Sequence, residues 1–230
     1  MLFSPIEDAP QKHYFFVTNM DVGKGREQDA LSFVRSSQDH QYSFIRTPRT
    51  NVPEAALSVQ LFIGIGIFPY DEEQLSFDNE AQAYDYFRAN VGLEAYVKKL
   101  ANFIKASNDM VQLTGFSVGA SAIWVLSDSD TFKDHTLNNV TSATCFYGSQ
   151  MRHHKHIQPQ FPVTLILPRY EKHFSVAELQ SDLSRYEHVR LEQTEYLHGF
   201  MNTHSVNFDA NAYADFCRYV RAHFATRLAR

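Results

Sequence analysis

Gly115-Phe116-Ser117-Val118-Gly119 is the stretch that decides the fold, because it joins a predicted strand to a predicted helix. Met110 to Thr114 before it is largely apolar and predicts a buried strand, whereas Val118 to Leu126 predicts a helix. Glycines two places before and two places after Ser117 remove Cβ atoms that would clash in a tight turn. Such a turn exposes its serine at the carboxyl edge of a parallel sheet. The segment therefore predicts that Ser117 is a nucleophile.

Short apolar runs alternate with longer amphipathic stretches along the chain, which is typical of an α/β fold with a mostly parallel, doubly wound sheet. The other predicted strands are His13 to Thr18, Tyr42 to Arg46, Val59 to Phe68, Val140 to Tyr147, Pro162 to Leu167 and His188 to Glu192. The other predicted helices are Gln28 to Arg35, Asn79 to Ala89, Leu93 to Ile104, Val176 to Tyr186 and Ala212 to Leu228. The pattern leaves open which of the second and third strands joins the central sheet. No repeat or linker divides the chain, so we expect one domain over residues 1–230.

Composition restricts the classes of partner. The chain is 44% hydrophobic and 14% aromatic, which is enough for a large core without disulfides or metals. Its net charge of -5 comes from scattered residues, so we expect no nucleic-acid partner.

The longest apolar run, Leu61 to Phe68, is far shorter than the roughly 20 residues of a membrane helix, and the N-terminus lacks signal-peptide features. We expect a cytoplasmic protein without a membrane partner, in which Cys145 and Cys217 are reduced core residues.

His198 is the candidate general base. A serine nucleophile on this kind of turn is followed along the chain by an acid and then by a histidine. Nine histidines follow residue 117, and His198 lies beside Gly199 between the last predicted strand and the terminal helix. A loop at that place can carry the imidazole over Ser117.

Glu171 is the candidate acid, because it follows the predicted strand Pro162 to Leu167 and could hold the imidazole in the correct tautomer. Two alternatives stay open. Glu171 could instead pair with Lys172 or Arg169 on a solvated loop, and Asp182 is the second-choice acid. The amide of Val118, at the start of the predicted helix, is the first candidate oxyanion donor.

Other patterns are weaker. The run Arg152-His153-His154-Lys155-His156 has no spacing that completes a metal site, so we expect no metal and no cofactor. Arg152 is a candidate for binding a substrate carboxylate, with a plain surface arginine as the alternative. Tyr70 is predicted either to line a substrate pocket or to fill the core, and Trp124 is predicted to lie in the core.

Four segments together resemble the dienelactone hydrolase family: Gly115 to Ala120, Cys145 to Ser149, Glu171 to Phe174 and His198 to Asn202. The resemblance extends from about His13 to Phe224. It implies a compact α/β-hydrolase without a cap domain that opens a lactone ring with a Cys-Asp-His triad. Ser117 and Glu171 depart from that pattern, so the chain resembles a serine-type relative of the family and not a dienelactone hydrolase itself.

The resemblance also implies a second oxyanion donor. The segment Asn19-Met20-Asp21-Val22-Gly23 matches the family's loop after the first strand, which assigns the donor to the amide of Asp21. The family's glutamate near the nucleophile corresponds to Met20. A serine activated by a histidine does not require that glutamate.

The sequence thus predicts a serine hydrolase that cleaves a small ester, thioester or lactone through an acyl-enzyme on Ser117. Two other hypotheses remain open at this point: a catalytically silent hydrolase fold that binds or regulates a partner, and an acyltransferase with the same triad. The sequence predicts neither the oligomeric state nor the physiological substrate.

Overall fold

The computed structural model describes residues 12–17, 41–44, 62–67, 69, 77, 79–107, 110–128, 137–203 and 205–226. Its strands are β1 Lys12–Val17, β2 Gln41–Phe44, β3 Phe62–Ile67, β4 Met110–Phe116, β5 Val140–Phe146, β6 Val163–Leu167 and β7 Val189–Gln193. Its helices are α1 Glu80–Asn90, α2 Gly92–Ala106, α3 Val118–Leu126, α4 Val176–Leu183 and α5 Ala210–Thr226. The predicted helix Gln28 to Arg35 lies outside the described residues.

All seven strands belong to one sheet in the order β2-β3-β1-β4-β5-β6-β7. Every neighbouring pair is parallel except β2 and β3, which are antiparallel at one edge. Both segments that the sequence left undecided therefore join the sheet. The prediction of an α/β fold with a mostly parallel sheet is confirmed, and no cap domain occurs among the residues described.

Strand β4 is central and extends two residues beyond its predicted end. Gly115 and Phe116 continue the parallel pairing with Cys145 and Phe146 of β5, so the strand reaches the residue directly before Ser117. Pairing with β5 therefore continues up to Phe116, and no loop residue separates β4 from the turn at Ser117. Helix α4, in contrast, ends at Leu183 and does not reach the predicted Tyr186.

The two faces of the sheet carry separate cores, because successive strand residues point to opposite faces. Cys145 and Leu165 belong to the larger core, to which α2, α3 and α4 contribute buried side chains. Phe146 and Ile166, one position further along, belong to the core beneath α5. Helices therefore cover both faces, as predicted for a doubly wound sheet.

The predicted core residues are buried. Trp124 is fully enclosed and its indole N–H donates to the carbonyl of His154 over 2.9 Å. Cys145 and Cys217 are both buried and no disulfide joins them, as predicted. Burial raises the pKa of the Cys145 thiol, because the thiolate would be desolvated there.

In the part of the chain that the structure describes, no helix combines the length and the apolar character needed to cross a membrane.

Replacing Gly115 with alanine should destabilise the fold. An added Cβ would lie 2.7 Å from the amide nitrogen of Ala120 and 2.8 Å from the carbonyl carbon of Gly119, and helix backbone cannot move aside cheaply. We expect Gly115→Ala to lower the free energy of unfolding by about 3 kcal/mol, at the upper end of ordinary overpacking, measured by urea denaturation.

Gly148→Ala is the matched control. Its Cβ would lie 2.4 Å from the terminal methyl of Met151, the far end of a flexible side chain, and 3.2 Å from the Cβ of Ala120, with no backbone atom among these nearest neighbours. The loss of stability should be clearly smaller than for Gly115→Ala. Equal losses would contradict the close packing of α3 on β4.

Candidate active site

Ser117 occupies a strained turn between β4 and α3. Its backbone has φ 49° and ψ -110°, a region that residues with a Cβ rarely adopt. The Ser117 N–H donates to the carbonyl of Phe146 over 2.9 Å, which ties the turn to β5. Its carbonyl accepts bonds from the N–H and the hydroxyl of Ser121, each over 3.0 Å. The strained conformation is therefore held from both sides.

Ser121 was not singled out from the sequence. A serine hydroxyl can donate to the backbone carbonyl four residues before it. The spacing of Ser117 and Ser121 is therefore a sequence signal that points to this bond. The Ser121 hydroxyl also accepts the N–H of Gln150 over 3.2 Å. It therefore links the turn to the segment after β5, a 3-10 helix over Ser149–His153 that the sequence did not predict.

A chain of hydrogen bonds joins Ser117, His198 and Glu171. Ser117 Oγ lies 3.2 Å from His198 Nε2, and His198 Nδ1 lies 2.7 Å from Glu171 Oε1. The Glu171 side chain is 10% exposed and the imidazole of His198 26% exposed, so the carboxylate is more shielded from solvent than the imidazole. A neutral imidazole that donates from Nδ1 to the carboxylate leaves Nε2 to accept the serine proton.

The two alternatives for the acid have different surroundings. Asp182 lies on α4, where its carboxylate is 2.5 Å from the ammonium of Lys155, and this hydrogen bond lowers the pKa of Asp182. Glu171 is directed to His198, and its loop is anchored where the N–H of Arg169 donates to the carbonyl of Tyr196 over 2.7 Å. This bond joins the loop of Glu171 to the loop of His198.

The loop that carries His198 is closed by its own hydrogen bonds. Gly199 has φ 85°, which lets the chain reverse directly after the histidine. The side-chain amide of Asn207 donates to the carbonyl of His198 over 2.8 Å, and the N–H of Asp209 donates to the carbonyl of Phe200 over 3.1 Å. The sequence contained no motif that would have singled out Asn207.

The first turn of α3 offers amides for a developing oxyanion. The first bond within this helix runs from the N–H of Ser121 to the carbonyl of Ser117, so the amide of Val118 precedes the helical ladder. It follows the serine directly, which is where a first oxyanion donor is required. Asp21 and Tyr70, predicted as the second donor and as a pocket residue, lie outside the described residues.

Arg152 is engaged within the protein. Its guanidinium donates to the carbonyl of Ser149 over 2.7 Å and lies 5.3 Å from the centre of the Phe174 ring. These contacts tie the 3-10 helix to the loop of Glu171. A role of Arg152 in substrate binding stays a prediction.

The histidines near Arg152 do not assemble a metal site. Over the described ranges, no group of three or more His, Cys, Asp or Glu side chains could hold a metal ion. The rings of His154 and His156 are 6.3 Å apart. Burial lowers the pKa of His154, and the neighbouring His156 and His153 lower it further by charge repulsion.

Comparison with known proteins finds a sequence relative and several solved structures that align with the chain. The uncharacterized protein YczH of Bacillus subtilis (strain 168) is 33% identical over 142 residues, which is 60% of this chain and 66% of YczH, slightly under two thirds of its length. No family model matches the chain. Est1E from Butyrivibrio proteoclasticus aligns with a TM-score of 0.48 and 8% identity over 94% of this chain and 91% of its own. A lipase-esterase related protein from Clostridium acetobutylicum aligns with a TM-score of 0.46 and 13% identity over 91% and 94%.

A serine on a tight strand-to-helix turn, at the end of the central strand of a parallel sheet, defines the nucleophile elbow of α/β-hydrolases. The sheet order and the geometry at Ser117 have these features. The chain has the α/β-hydrolase fold.

Replacing Ser117 with glycine should stabilise the protein relative to alanine. Both changes remove the hydroxyl, but only glycine relieves the backbone strain at φ 49°. Relief of about 1–3 kcal/mol exceeds the entropic cost of glycine, about 0.5–1 kcal/mol. We expect Ser117→Gly to unfold at higher urea concentration than Ser117→Ala, and the opposite order would contradict a strained turn.

Proposed function

We propose that this chain is a serine hydrolase that cleaves a small ester, thioester or lactone through an acyl-enzyme on Ser117. The observation that carries the proposal is the hydrogen-bonded chain from Ser117 Oγ through His198 to Glu171 Oε1. Serine, imidazole and carboxylate in this order have the geometry by which a weak hydroxyl nucleophile is activated.

In the first step, Ser117 Oγ attacks the acyl carbon while His198 Nε2 accepts the hydroxyl proton. The carbonyl π bond opens, and its electron pair moves to the oxygen. Glu171 stabilises the imidazolium that forms and keeps Nε2 directed at the serine. The amide of Val118 donates to the new oxyanion, and by resemblance the amide of Asp21 is the second donor.

Collapse of this intermediate breaks the bond to the leaving group, which takes the proton from His198. An alcohol or thiol then departs, whereas a lactone keeps its leaving hydroxyl attached to the acyl chain. Water attacks the acyl-enzyme next, giving its proton to Nε2, and the carboxylic acid is released as Ser117 recovers its hydrogen.

The chain is best explained as a serine-type relative of the dienelactone hydrolases. The motifs around Ser117 and His198 support this relationship, and serine and glutamate in place of cysteine and aspartate set the chain apart from the family's usual triad. A serine hydroxyl depends on its base more strongly than a thiol does, because a thiol is already partly ionised near neutral pH. The direct contact between Ser117 and His198 agrees with that requirement.

Ser117→Ala should abolish hydrolysis of p-nitrophenyl acetate and labelling by a fluorophosphonate probe, because both require the activated hydroxyl. Ser184→Ala, at an exposed position beside α4, is the matched control and should keep both at the wild-type level. Mass spectrometry of the labelled protein should locate the adduct on Ser117. Unchanged turnover in Ser117→Ala, or a wild-type protein that resists the probe, would contradict the proposal.

Glu171→Gln should lower kcat by about 10⁴-fold, the loss found when an orienting carboxylate becomes an amide that favours the wrong imidazole tautomer. KM should change little, since Glu171 bonds to His198 and not to the acyl group.

Asp182→Asn tests the alternative acid with the same chemical change. Because Asp182 is paired with Lys155, its kinetics should match the wild type. A loss in Asp182→Asn as large as that in Glu171→Gln would refute the assignment of Glu171.

A further inference from the structure

We propose that Tyr147 is a positioning residue that keeps the imidazole of His198 within hydrogen-bond distance of Ser117. This inference rests on the proposed function, since it assigns a role within the same site. It comes from three observations about Tyr147: its backbone conformation, the face of the sheet on which its ring lies, and the rings that it contacts.

Tyr147 has φ 41°, although it carries a bulky aromatic side chain. Residues other than glycine rarely adopt positive φ, and for a bulky residue this conformation is an outlier. Among the residues described, Ser117 is the other residue with a side chain that has positive φ. Such strain persists where surrounding contacts hold it, and it concentrates at functional sites.

The strained backbone determines the face on which the ring lies. Tyr147 directly follows the last residue of β5, Phe146, so a continued strand would direct the two side chains to opposite faces. Instead, both rings lie in the core beneath α5, with their centres 6.4 Å apart. The N–H of Tyr147 still donates to the carbonyl of Ile166 over 2.9 Å, so the change of direction occurs at Tyr147 itself.

That direction brings the Tyr147 ring against the His198 ring and near the residue that precedes Ser117. Its centre lies 4.9 Å from the centre of the His198 ring and 5.3 Å from that of Phe200, two residues further along. On the other side it lies 6.3 Å from the ring of Phe116, which directly precedes Ser117. With a side chain 1% exposed, Tyr147 has little freedom to move.

The hydrogen bond from His198 to Glu171 does not restrict every motion of the imidazole, and the Tyr147 ring can restrict the tilt that remains. The bond from Nδ1 to Glu171 restrains one atom of the imidazole, and a single hydrogen bond does not by itself fix the tilt of the ring plane. A tilt would move Nε2 away from its position 3.2 Å from Ser117 Oγ. Misplacement of a reacting group by about 1 Å can cost about 100-fold in rate, so a packed ring beside the imidazole affects the chemical step.

The test compares three variants. Tyr147→Leu removes the ring, Tyr147→Phe keeps it, and Phe216→Leu removes a ring of the same core that contacts Phe146 and Phe200. Initial rates with p-nitrophenyl acetate give kcat and KM, and the rate of fluorophosphonate labelling reports the reactivity of Ser117 independently. Urea denaturation gives the stability of each variant.

We expect Tyr147→Leu to lower kcat and the labelling rate by about 10- to 100-fold while KM stays within about twofold. Tyr147→Phe and Phe216→Leu should both stay within about threefold of the wild type, although Phe216→Leu loses stability. If Tyr147→Leu does not fold, Tyr147→Met replaces it, because the longer and flexible methionine side chain can fill more of the space that the ring leaves, and it should show the same loss of kcat.

Four results would overturn the inference. Wild-type rates in Tyr147→Leu or Tyr147→Met would show that the ring does not position His198. A loss in Phe216→Leu equal to that in Tyr147→Leu would assign the effect to general core packing, and an equal loss in Tyr147→Phe would assign it to the hydroxyl. A wild-type protein that is neither active nor labelled would instead contradict the proposed function and, with it, the role of Tyr147.

Discussion

The strained turn at Ser117 is the constraint on which the rest of the site depends. A side chain at φ 49° is tolerated because β5 holds the amide of Ser117 while the hydroxyl and N–H of Ser121 hold its carbonyl. The same turn requires α3 to lie so close to β4 that position 115 has no room for a Cβ. Close packing of helix on strand and presentation of the hydroxyl are thus two consequences of one backbone geometry.

Parallel pairing then brings the partners of Ser117 to the same edge of the sheet. Strands β4, β5, β6 and β7 all end there, so the loops that follow them meet although their residues are distant in sequence. Glu171 follows β6 and His198 follows β7, and the bond between Arg169 and Tyr196 joins the two loops. The site is therefore built on strand ends, with hydrogen bonds between loops fixing its detail.

Much of the fold could be predicted because the signals for it are local. Hydrophobic periodicity placed α3 over Val118–Leu126 and β6 within one residue of its observed start, and glycine spacing marked the turn. The predicted end of β4 was wrong because tertiary pairing decides it: β4 extends to Phe116 where β5 continues beside it. The sequence left open which of β2 and β3 joins the sheet, because their antiparallel pairing is encoded by no local pattern. The 3-10 helix after β5 had no periodic signal.

The sequence by itself determined the α/β class, the strand-to-helix turn and the position of its serine, because each depends on residues within a few places of one another. The tertiary structure decided which carboxylate faces the histidine: Asp182 is paired with Lys155, while Glu171 reaches His198 from 27 positions away. It also decided that Tyr147 turns onto the face of Phe146 and against the imidazole. Hydrogen bonds and ring contacts between distant segments depend on how strands pair and loops close, and for that reason only the folded chain settles them.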